Sequence, residues 1–581
     1  MIYLLDYGAG NVRSLANSIN KLGFEFKWIT CPDDFRLASK LVFPGVGAFE
    51  LAMEALRSKG LAQPLIDYIQ SGKPYMGICI GMQALFLSSE ESAKASGLGI
   101  IPSHVQKFSS ATKTVPHIGW NTPLYFPSGS IKDQDPTFDW DSDSAFYFVH
   151  SYCVSHNQSM HGWTQTLTRY GDEVFVSSIR RANVFATQFH PEKSGPAGLR
   201  LLKQWLSLPD SISPLSSLSP PSPSLVDPHI LTAHSRLAKR IIACLDVRSN
   251  DDGDLVVTKG DQYDVREANS LDSTSKGNVR NLGKPVDLAR RYYDEGADEI
   301  TFLNITSFRS CPLQDQPMLA VLQKAAETVF VPFCVGGGIK DTVDPDGTTH
   351  SALEVATAYF RAGADKVSIG GEAVMAVEAM LANKPPLTTG ITDIARVYGR
   401  QAVVVSIDPK RVYVSHIEDV PSEHQPCVVD LSSASLQTKT GLIPLEPDLG
   451  PNGERYCWYQ CTIKGGREAR AVDVVQLAIG VETLGAGEIL LNSVDKDGSK
   501  SGFDLRLVEL IKRNVTIPII ASSGAGKLQH FEDVFLKTGA EAALAAGIFH
   551  RKEVQIQEVK THLNMVGIPM RKCAQNEDSR V

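Results

Sequence analysis

The 581-residue sequence predicts an α/β protein of two domains, a mainly parallel open sheet followed by a β/α barrel. The chain is too long for one ordinary hydrophobic core. Residues 208–229 are rich in Ser and Pro and low in charge, so they cannot form a packed core and are expected to act as a linker. Apolar runs alternate with helical patterns on both sides of this linker. We therefore expect domains at residues 1–207 and 230–581.

The N-terminal part shows short apolar runs separated by amphipathic stretches, which is typical of a mainly parallel α/β sheet. The sequence DYGAGN at residues 6–11 follows the first run but lacks the third glycine of a dinucleotide-binding motif, so that alternative is weak. The predicted strands are residues 2–5, 40–43 and 75–78, and the predicted helices are residues 13–22 and 51–70.

The C-terminal part contains eight strand-like runs with helical segments between them, which predicts a (β/α)8 TIM barrel. The barrel is an internal repeat of two four-strand halves, because Cys244-Leu-Asp246 corresponds to Ser406-Ile-Asp408 and later segments correspond in the same order. The runs are residues 240–247, 300–305, 331–335, 366–370, 402–407, 488–494, 517–521 and 542–546.

A proline-rich stretch at about residues 412–460 interrupts the second half of the barrel, and we predict that it is a surface insertion. Cys457 and Cys461 lie at its end without evident partners, and we interpret them as structural. No cluster of His, Cys or carboxylate residues has metal-ligand spacing. We therefore predict no metal site.

The composition excludes several classes of protein. A formal net charge of −8 gives no basic surface for nucleic acid, and no apolar run is long enough to span a bilayer. Ten cysteines are scattered without the spacing of a secreted disulfide framework. The first residues resemble a buried strand and not a signal peptide, so we expect a cytoplasmic protein, or an organellar one if a transit peptide has been removed.

The sequence GICIGMQ at residues 77–83 sets Cys79 between two glycines where an apolar strand gives way to a helix. This pattern predicts a nucleophile elbow with a thiol as nucleophile. His190 and Glu192, in QFHPEK at residues 188–193, are a candidate base and its orienting carboxylate. Taken alone, a cysteine between two glycines is more often a buried structural residue, and His-Pro-Glu is a common turn.

Together these segments resemble the class I glutamine amidotransferases, which have a Cys-His-Glu triad. FPGVG at residues 43–47 also fits that family. The resemblance implies that the loop of Gly45, Val46 and Gly47 supplies an oxyanion donor, joined by the N–H of Ile80, and that Gln83 helps to bind glutamine. The implied reaction is hydrolysis of the carboxamide of glutamine through a thioester, with release of ammonia.

Asp246 and Asp408 are expected at the C-terminal ends of barrel strands one and five, where catalytic groups of such barrels lie. One such aspartate could simply cap a helix, but two symmetric ones suggest a division of acid and base roles. Glycine-rich strand ends in both halves suggest a substrate with a phosphate at each end. The candidate phosphate-binding residues of these strand ends are Gly337, Gly338, Gly370, Gly371, Ser523, Gly524, Ala546 and Gly547.

This half resembles the cyclase of the imidazole glycerol phosphate synthase family, through residues 237–247, the DKDG sequence at 495–498 and the glycine sets. The family implies that ammonia reacts with a bis-phosphorylated ribonucleotide to give imidazole glycerol phosphate and an aminoimidazole carboxamide ribotide. It also implies that Lys259, Asp497 and Gly498 help to bind substrate and that no organic cofactor is needed. Asn304 and Ser523 depart from the expected aspartate and glycine.

Four charged residues, Arg240, Glu299, Lys366 and Glu488, stand at the N-terminal starts of barrel strands. Charges at such positions are usually solvated. The family resemblance implies instead a buried ring of two cations and two anions that gates ammonia, with the N-terminal domain docked on this face of the barrel. Lys193 and Asp365 are a candidate interface pair.

Two rival functions remain open at this point: a sugar-phosphate isomerase barrel with a regulatory glutaminase-like domain, and a non-catalytic scaffold. The joint presence of Cys79, His190, Glu192, Asp246 and Asp408 argues against a scaffold. The expected partners are small molecules, glutamine and the bis-phosphorylated ribonucleotide. We expect a monomer that binds neither nucleic acid nor membrane.

Overall fold

A computed structural model describes two α/β bodies, an open eight-stranded sheet and a closed eight-stranded barrel, as the sequence predicts. Lys259 and most of the Ser/Pro-rich stretch lie outside the described residues. Within the described ranges, none of the helices has the length and apolar character needed to cross a bilayer. Those ranges are 1–8, 10–125, 143–211, 236–249, 255–258, 281–305, 312–382, 388–433 and 443–572.

The N-terminal domain is built from short strands and helices that alternate at first and then give way to antiparallel strands. Its strands are β1 (Ile2–Leu5), β2 (Phe26–Ile29), β3 (Lys40–Phe43), β4 (Tyr75–Ile78), β5 (Phe86–Ser89), β6 (Ser92–Ser96), β7 (Ile101–Lys107), β8 (His117–Asn121), β9 (Leu124–Tyr125), β10 (Phe146–His150), β11 (Tyr152–Cys153), β12 (Thr164–Tyr170), β13 (Glu173–Arg181) and β14 (Val184–Thr187). Its helices are α1 (Val12–Lys21), α2 (Asp34–Leu37), α3 (Phe49–Ser58), α4 (Ala62–Gln70), α5 (Ile80–Gln83) and α6 (Gly195–Leu206), with 3-10 turns at Gln158–Met160 and Pro191–Lys193.

The main sheet has the strand order β2-β1-β3-β4-β14-β13-β12-β9, and the first five strands are parallel. Strands β1, β3, β4 and β14 are buried along their whole length, which explains why the sequence there is apolar without alternation. The carboxyl end of β4 leads directly into Cys79, so the candidate nucleophile lies at the centre of the sheet edge.

One helix prediction is wrong in detail. The sequence predicts a single helix over residues 51–70, but the structure has two, α3 and α4, separated by three residues. Gly60 has a φ of +67°, the left-handed conformation that commonly ends a helix. The helical spacing of apolar residues continues across the break at Gly60, which is why the sequence predicts one helix.

The C-terminal domain contains the eight predicted barrel strands and several added hairpin strands. Its strands are β15 (Arg240–Ser249), β16 (Leu255–Thr258), β17 (Glu299–Asn304), β18 (Phe333–Gly336), β19 (Thr342–Val343), β20 (Thr349–His350), β21 (Lys366–Ile369), β22 (Val403–Val414), β23 (Val429–Asp430), β24 (Tyr456–Ile463), β25 (Glu468–Asp473), β26 (Glu488–Asn492), β27 (Ile519–Ser522) and β28 (Ala542–Ala545). Its helices are α7 (Pro285–Asp294), α8 (Pro317–Ala325), α9 (Ala352–Ala362), α10 (Gly371–Leu381), α11 (Gly390–Tyr398), α12 (Val474–Leu484), α13 (Leu505–Asn514), α14 (Leu528–Thr538), α15 (Gly547–His550) and α16 (Ile556–Met565), with 3-10 turns at Leu313–Asp315, Arg400–Ala402, Ile417–Asp419, Gln425–Cys427 and Val494–Lys496.

The barrel runs in parallel through β15, β17, β18, β21, β22, β26, β27 and β28, and closes because β28 pairs with β15. A small apolar cluster fills its interior, and a much larger core lies between the strands and the outer helices. Asp246 lies on the first strand and Asp408 on the fifth, so the chain places them on opposite sides of the mouth. The interior residues are Ile242, Cys244, Cys334, Val404, Leu490, Ile520, Ala542 and Leu544.

The stretch at residues 412–460 is only partly a surface insertion. Its last residues belong to β24, which pairs antiparallel with β22, and Cys457, Trp458 and Tyr459 are buried. The insertion is also tied to the barrel by an ion pair and a hydrogen bond: Arg411 bonds Asp448 at 2.9 Å, and Nδ1 of His424 lies 2.8 Å from Asp473 at the start of α12. The prediction missed this because the prolines conceal the strand that follows them.

The N-terminal domain docks on the face of the barrel that holds the N-terminal starts of the strands. Asp298 and Asp365 stand just before β17 and β21, and both meet residues of the N-terminal domain. Trp120 donates its indole N–H to the carbonyl of Asp298 at 3.0 Å, and Lys193 lies 2.8 Å from the Asp365 carboxylate. Arg361 forms an ion pair with Asp6 at 2.8 Å. The predicted docking face and the predicted Lys193–Asp365 pair are therefore both present in the structure.

Candidate active sites

The turn that carries Cys79 is strained and tightly packed. Cys79 has a φ of +50°, a left-handed conformation that non-glycine residues rarely adopt. A Cβ on Gly81 would lie 2.0 Å from the carbonyl oxygen of Phe43, and a Cβ on Gly77 would lie 2.4 Å from that of Gly81. Any larger residue at either position would push the turn apart. The two glycines are therefore required for the position of the thiol.

His190 and Glu192 lie beside Cys79 in the folded domain, although more than 100 residues separate them in sequence. Nδ1 of His190 is 2.8 Å from Oε1 of Glu192, and both side chains are buried. Burial by itself would lower the pKa of His190, but the charges of Glu192 and Cys79 raise it to about 10. The imidazole is therefore suited to hold a proton taken from the thiol.

Two glutamines line the same site. The side-chain N–H of Gln188 points to Sγ of Cys79 at 3.4 Å. Gln83 donates to the side-chain oxygen of Gln188 at 3.0 Å and to the carbonyl of Tyr152 at 3.1 Å. Gln83 thus lies next to the nucleophile, as the family resemblance implies, while Gln188 was not singled out from the sequence.

The loop of Gly45, Val46 and Gly47 runs past the start of α5. A Cβ on Gly45 would lie 2.5 Å from Cβ of Ile80, so the loop and the helix start are in direct contact. The hydroxyl of Tyr7 donates to the carbonyl of Val46 at 2.7 Å. The next peptide contacts the barrel, because Ala48 N–H donates to the carbonyl of Val397 at 3.2 Å.

Glu91 is a carboxylate near this site that the sequence did not reveal. It accepts the N–H of Phe49, just beyond the candidate oxyanion loop, at 3.0 Å. Burial raises its pKa to about 7. It also lies close enough to Tyr7 and Tyr152 to raise their pKa values. No local pattern identifies Glu91, because only the fold brings it towards the Cys79 pocket.

The four predicted gate residues form a closed and completely buried ring. All four side chains have 0% exposure. Arg240 bonds Glu299 at 2.9 Å and also bonds Glu488, while Lys366 lies 2.7 Å from Glu299 and 2.6 Å from Glu488. Burial opposes charge at each position, but the partners raise the pKa values of Arg240 and Lys366 and lower that of Glu488. Two cations and two anions give the ring no net charge.

Tyr147 connects the N-terminal site with this ring. Its carbonyl accepts the N–H of His190 at 2.9 Å, and its side chain interacts electrostatically with all four ring residues. Its hydroxyl is buried and has no hydrogen-bond partner within the described part of the chain. A polar atom in this position is suited to contact a small molecule that passes from His190 to the ring.

A cavity of about 860 Å³ occupies the opposite end of the barrel. Asp246 and Asp408 both line it, so the structure brings the two predicted carboxylates to one chamber. Asp408 accepts the amide N–H of Asn492 at 2.9 Å. Burial raises the pKa of Asp408, and hydrogen bonds from Asn492 and Ser406 oppose that shift.

The predicted phosphate-binding residues divide into two groups. Those of the second half all line the cavity, and Ser523 has a φ of +74°, which explains why a glycine would be usual there. Those of the first half do not line it. The residues that do are Asp497, Gly498, Ser523, Gly524, Ala546 and Gly547. The residues that do not are Gly337, Gly338, Gly370 and Gly371.

Two of the first-half glycines, Gly337 and Gly371, have close neighbours from other segments. Ile463, at the end of β24, lies 3.6 Å from the position that a Cβ on Gly371 would take. The backbone of Asn304 presses on Gly337 in the same way, with its carbonyl oxygen 2.2 Å from a Cβ there. The phosphate site of the first half therefore stays a prediction, and Lys259 lies outside the described residues.

Comparison with known proteins matches both halves of the chain. Residues 3–207 match the family model described as glutamine amidotransferase class-I, and residues 240–555 match that described as histidine biosynthesis protein. The chain is 52% identical to the imidazole glycerol phosphate synthase hisHF of Emericella nidulans, over 98% of this chain and 99% of the relative. The chain belongs to the imidazole glycerol phosphate synthase family.

Other members of the imidazole glycerol phosphate synthase family show the same arrangement. The hisHF protein of Schizosaccharomyces pombe is 52% identical over 97% of this chain and 98% of its own length. The chloroplastic hisHF protein of Arabidopsis thaliana is 51% identical over 98% of this chain and 89% of its own. The match therefore includes both domains, which favours the synthase over the isomerase and scaffold alternatives.

Proposed function

We propose that this chain is a bifunctional imidazole glycerol phosphate synthase of histidine biosynthesis. It hydrolyses glutamine at Cys79 and delivers the ammonia through the barrel to a bis-phosphorylated ribonucleotide. The observation that carries this proposal is the neutral, fully buried ring between the two candidate sites. A neutral, buried polar ring has no evident purpose in a barrel that acts without a second domain. It is suited to contact a small neutral molecule that passes between the two sites.

At the first site, Sγ of Cys79 attacks the carboxamide carbon of glutamine while His190 takes the thiol proton. The tetrahedral oxyanion is received by backbone N–H groups of Val46 and Ile80. The N–H of Ile80 is suited to this because the first residue of a helix has no intrahelical acceptor. His190 then protonates the leaving amine, and water hydrolyses the thioester to glutamate. Glu192 orients the imidazole throughout.

We also propose that Glu91 binds the α-ammonium group of glutamine. A free amino acid carries a positive charge that an enclosed site must pair. Glu91 is the partly buried carboxylate beside the candidate oxyanion loop. Because its pKa is about 7, its charge and therefore its affinity for the ammonium group increase as the pH rises through neutrality.

Ammonia released into water at neutral pH would become ammonium, which has no free electron pair with which to attack. Tyr147 and the ring lie between His190 and the barrel interior, so they are the expected route of transfer. At the far end, Asp246 and Asp408 share the acid and base steps of ring closure and cleavage. The raised pKa of Asp408 favours it as the proton carrier. The products are imidazole glycerol phosphate and the aminoimidazole carboxamide ribotide.

The remaining properties are proposed on the sequence. We propose domains at residues 1–207 and 230–581 with a linker at 208–229, a cytoplasmic or organellar location, and a monomer that needs no cofactor or metal. Within the described residues there is no group of three or more His, Cys, Asp or Glu side chains arranged to hold a metal ion.

The test is to supply the nitrogen in two forms. Cys79→Ala is expected to lose synthesis with glutamine and to keep it with ammonium salt at raised pH, because only the first site is damaged. Asp246→Asn is expected to lose synthesis with both. Cys31→Ala removes an exposed free thiol elsewhere in the same domain and is the matched control. If wild-type protein turned over the ribonucleotide with neither nitrogen source, the proposed function would be wrong.

A further inference from the structure

Two cationic side chains stand at the second-half end of the barrel cavity. Lys500 and Arg551 both line the chamber that contains Asp246 and Asp408. Both lie beside the glycine-rich strand ends already proposed for phosphate, yet neither belongs to a glycine motif. Their positions add positive charge beside the backbone N–H groups of these strand ends, and Arg248, Lys464 and Arg467 line other parts of the same chamber.

One carboxylate holds both cations. Oε1 of Glu553 accepts Nζ of Lys500 at 2.7 Å and Nε of Arg551 at 2.7 Å. Hydrogen bonds from Arg551 and Lys500 lower the pKa of Glu553. Glu553 itself does not line the cavity. Glu553 therefore contacts the two cations from the side away from the cavity. Together the three side chains carry a net charge of about +1.

The backbone around Lys500 and Arg551 contains several residues in strained conformations. Lys500, Ser523 and Lys552 have φ values of +55°, +74° and +56°, although none is a glycine. Such conformations are unfavourable for residues that carry a Cβ, and they concentrate at functional sites. The guanidinium of Arg551 lies against Gly547, with Nη1 2.9 Å from the position of a Cβ there. The pairs of Glu553 with Lys500 and Arg551 are exposed, so by themselves they contribute little to stability.

We infer that Lys500 and Arg551 bind the phosphate group at one end of the substrate, and that Glu553 positions them. This inference rests on the proposed function and makes it more specific. A phosphate monoester carries about −1.5 to −2 charge at neutral pH, so it complements a cationic pair better than the single Glu553 carboxylate does.

The test measures the KM for the bis-phosphorylated ribonucleotide with ammonium as nitrogen source. Arg551→Met and Lys500→Met are each expected to raise this KM about tenfold or more, while kcat changes less than about threefold, because a charge-assisted hydrogen bond is lost away from the reacting atoms. Arg551→Lys should restore part of the loss. The KM for glutamine in the glutaminase assay should not change.

Two further measurements make the test specific. Inorganic phosphate is the probe for the site itself, and its inhibition constant against the ribonucleotide should rise severalfold in Arg551→Met. Arg513→Met and Lys537→Met remove barrel-surface cations paired with Glu509 and Asp533, and serve as matched controls. If both KM and the inhibition constant stayed at wild-type values in Arg551→Met and Lys500→Met, the inference would be wrong. Failure of wild-type turnover would instead refute the proposed function.

Discussion

Replacing Lys366 by methionine tests whether the ring is a neutral, buried unit. The change removes one of two cations and leaves Glu299 and Glu488 with Arg240 as their remaining ring partner. The ring then carries one uncompensated negative charge at a site with no exposure. Leaving a buried ion pair without one partner typically destabilises a protein by about 3–5 kcal/mol. That loss is a large part of an ordinary folding free energy of about 5–15 kcal/mol.

The pH dependence of stability gives this prediction a distinctive sign. In the wild type the pKa of Glu488 is lowered, so its contribution to stability is present above the ordinary carboxylate pKa and is lost in acid. In Lys366→Met the uncompensated carboxylate has a raised pKa and can neutralise itself by taking up a proton. Its penalty is therefore largest at neutral and alkaline pH and shrinks as the pH falls.

The assay is urea unfolding of the full chain at about pH 5 and pH 8. The double variant Lys366→Met, Glu488→Gln restores neutrality and should recover most of the loss. Lys537→Met breaks an exposed pair with Asp533 and should cost no more than about 1 kcal/mol. A loss below about 1 kcal/mol in Lys366→Met, equal at both pH values, would refute the description of the ring as a closed buried unit.

Two further predictions concern the glutaminase site. Gly81→Ala should lower glutamine hydrolysis about 100-fold or more, because its Cβ would meet the carbonyl oxygen of Phe43 at 2.0 Å and displace Cys79. Ammonium-dependent synthesis should be retained in this variant. Normal glutamine kinetics would contradict the packing argument. In the wild type, kcat/KM for glutamine should increase as the pH rises through about 7, the pKa of Glu91. Glu91→Gln should raise KM and remove that inflection, and its persistence would show that another group titrates there.

The elements whose chemistry is local could be predicted well from the sequence. The glycines around Cys79 mark the turn because no side chain fits beside Phe43, a constraint that acts over only a few residues of sequence and one adjacent strand. The eight barrel strands were also identifiable, because strands buried on both faces are continuously apolar. The single predicted helix over residues 51–70 was wrong for a related reason: a glycine turn can interrupt a helix without interrupting its hydrophobic period.

The residues that the sequence missed lack a local signal. Glu91, Tyr147 and Gln188 join the candidate sites only through contacts between distant segments. Lys500 and Arg551 resemble ordinary surface cations until the fold turns them towards the cavity. A charged residue carries the same sequence signature whether it faces water or a substrate, so burial and neighbours decide its role.

The sequence by itself determined the two-domain plan, the position of the nucleophile and the pair of aspartates at strand ends. The apolar pattern of the strands, the steric need for glycine and the internal repeat can all be recognised without knowing the fold. Only the tertiary structure decided which charges are buried and which sites are open. It closed Arg240, Glu299, Lys366 and Glu488 into a ring without exposure, and it turned Lys500 and Arg551 towards the cavity. Both outcomes depend on the packing of segments far apart in the chain, and such packing leaves no periodic pattern in the sequence.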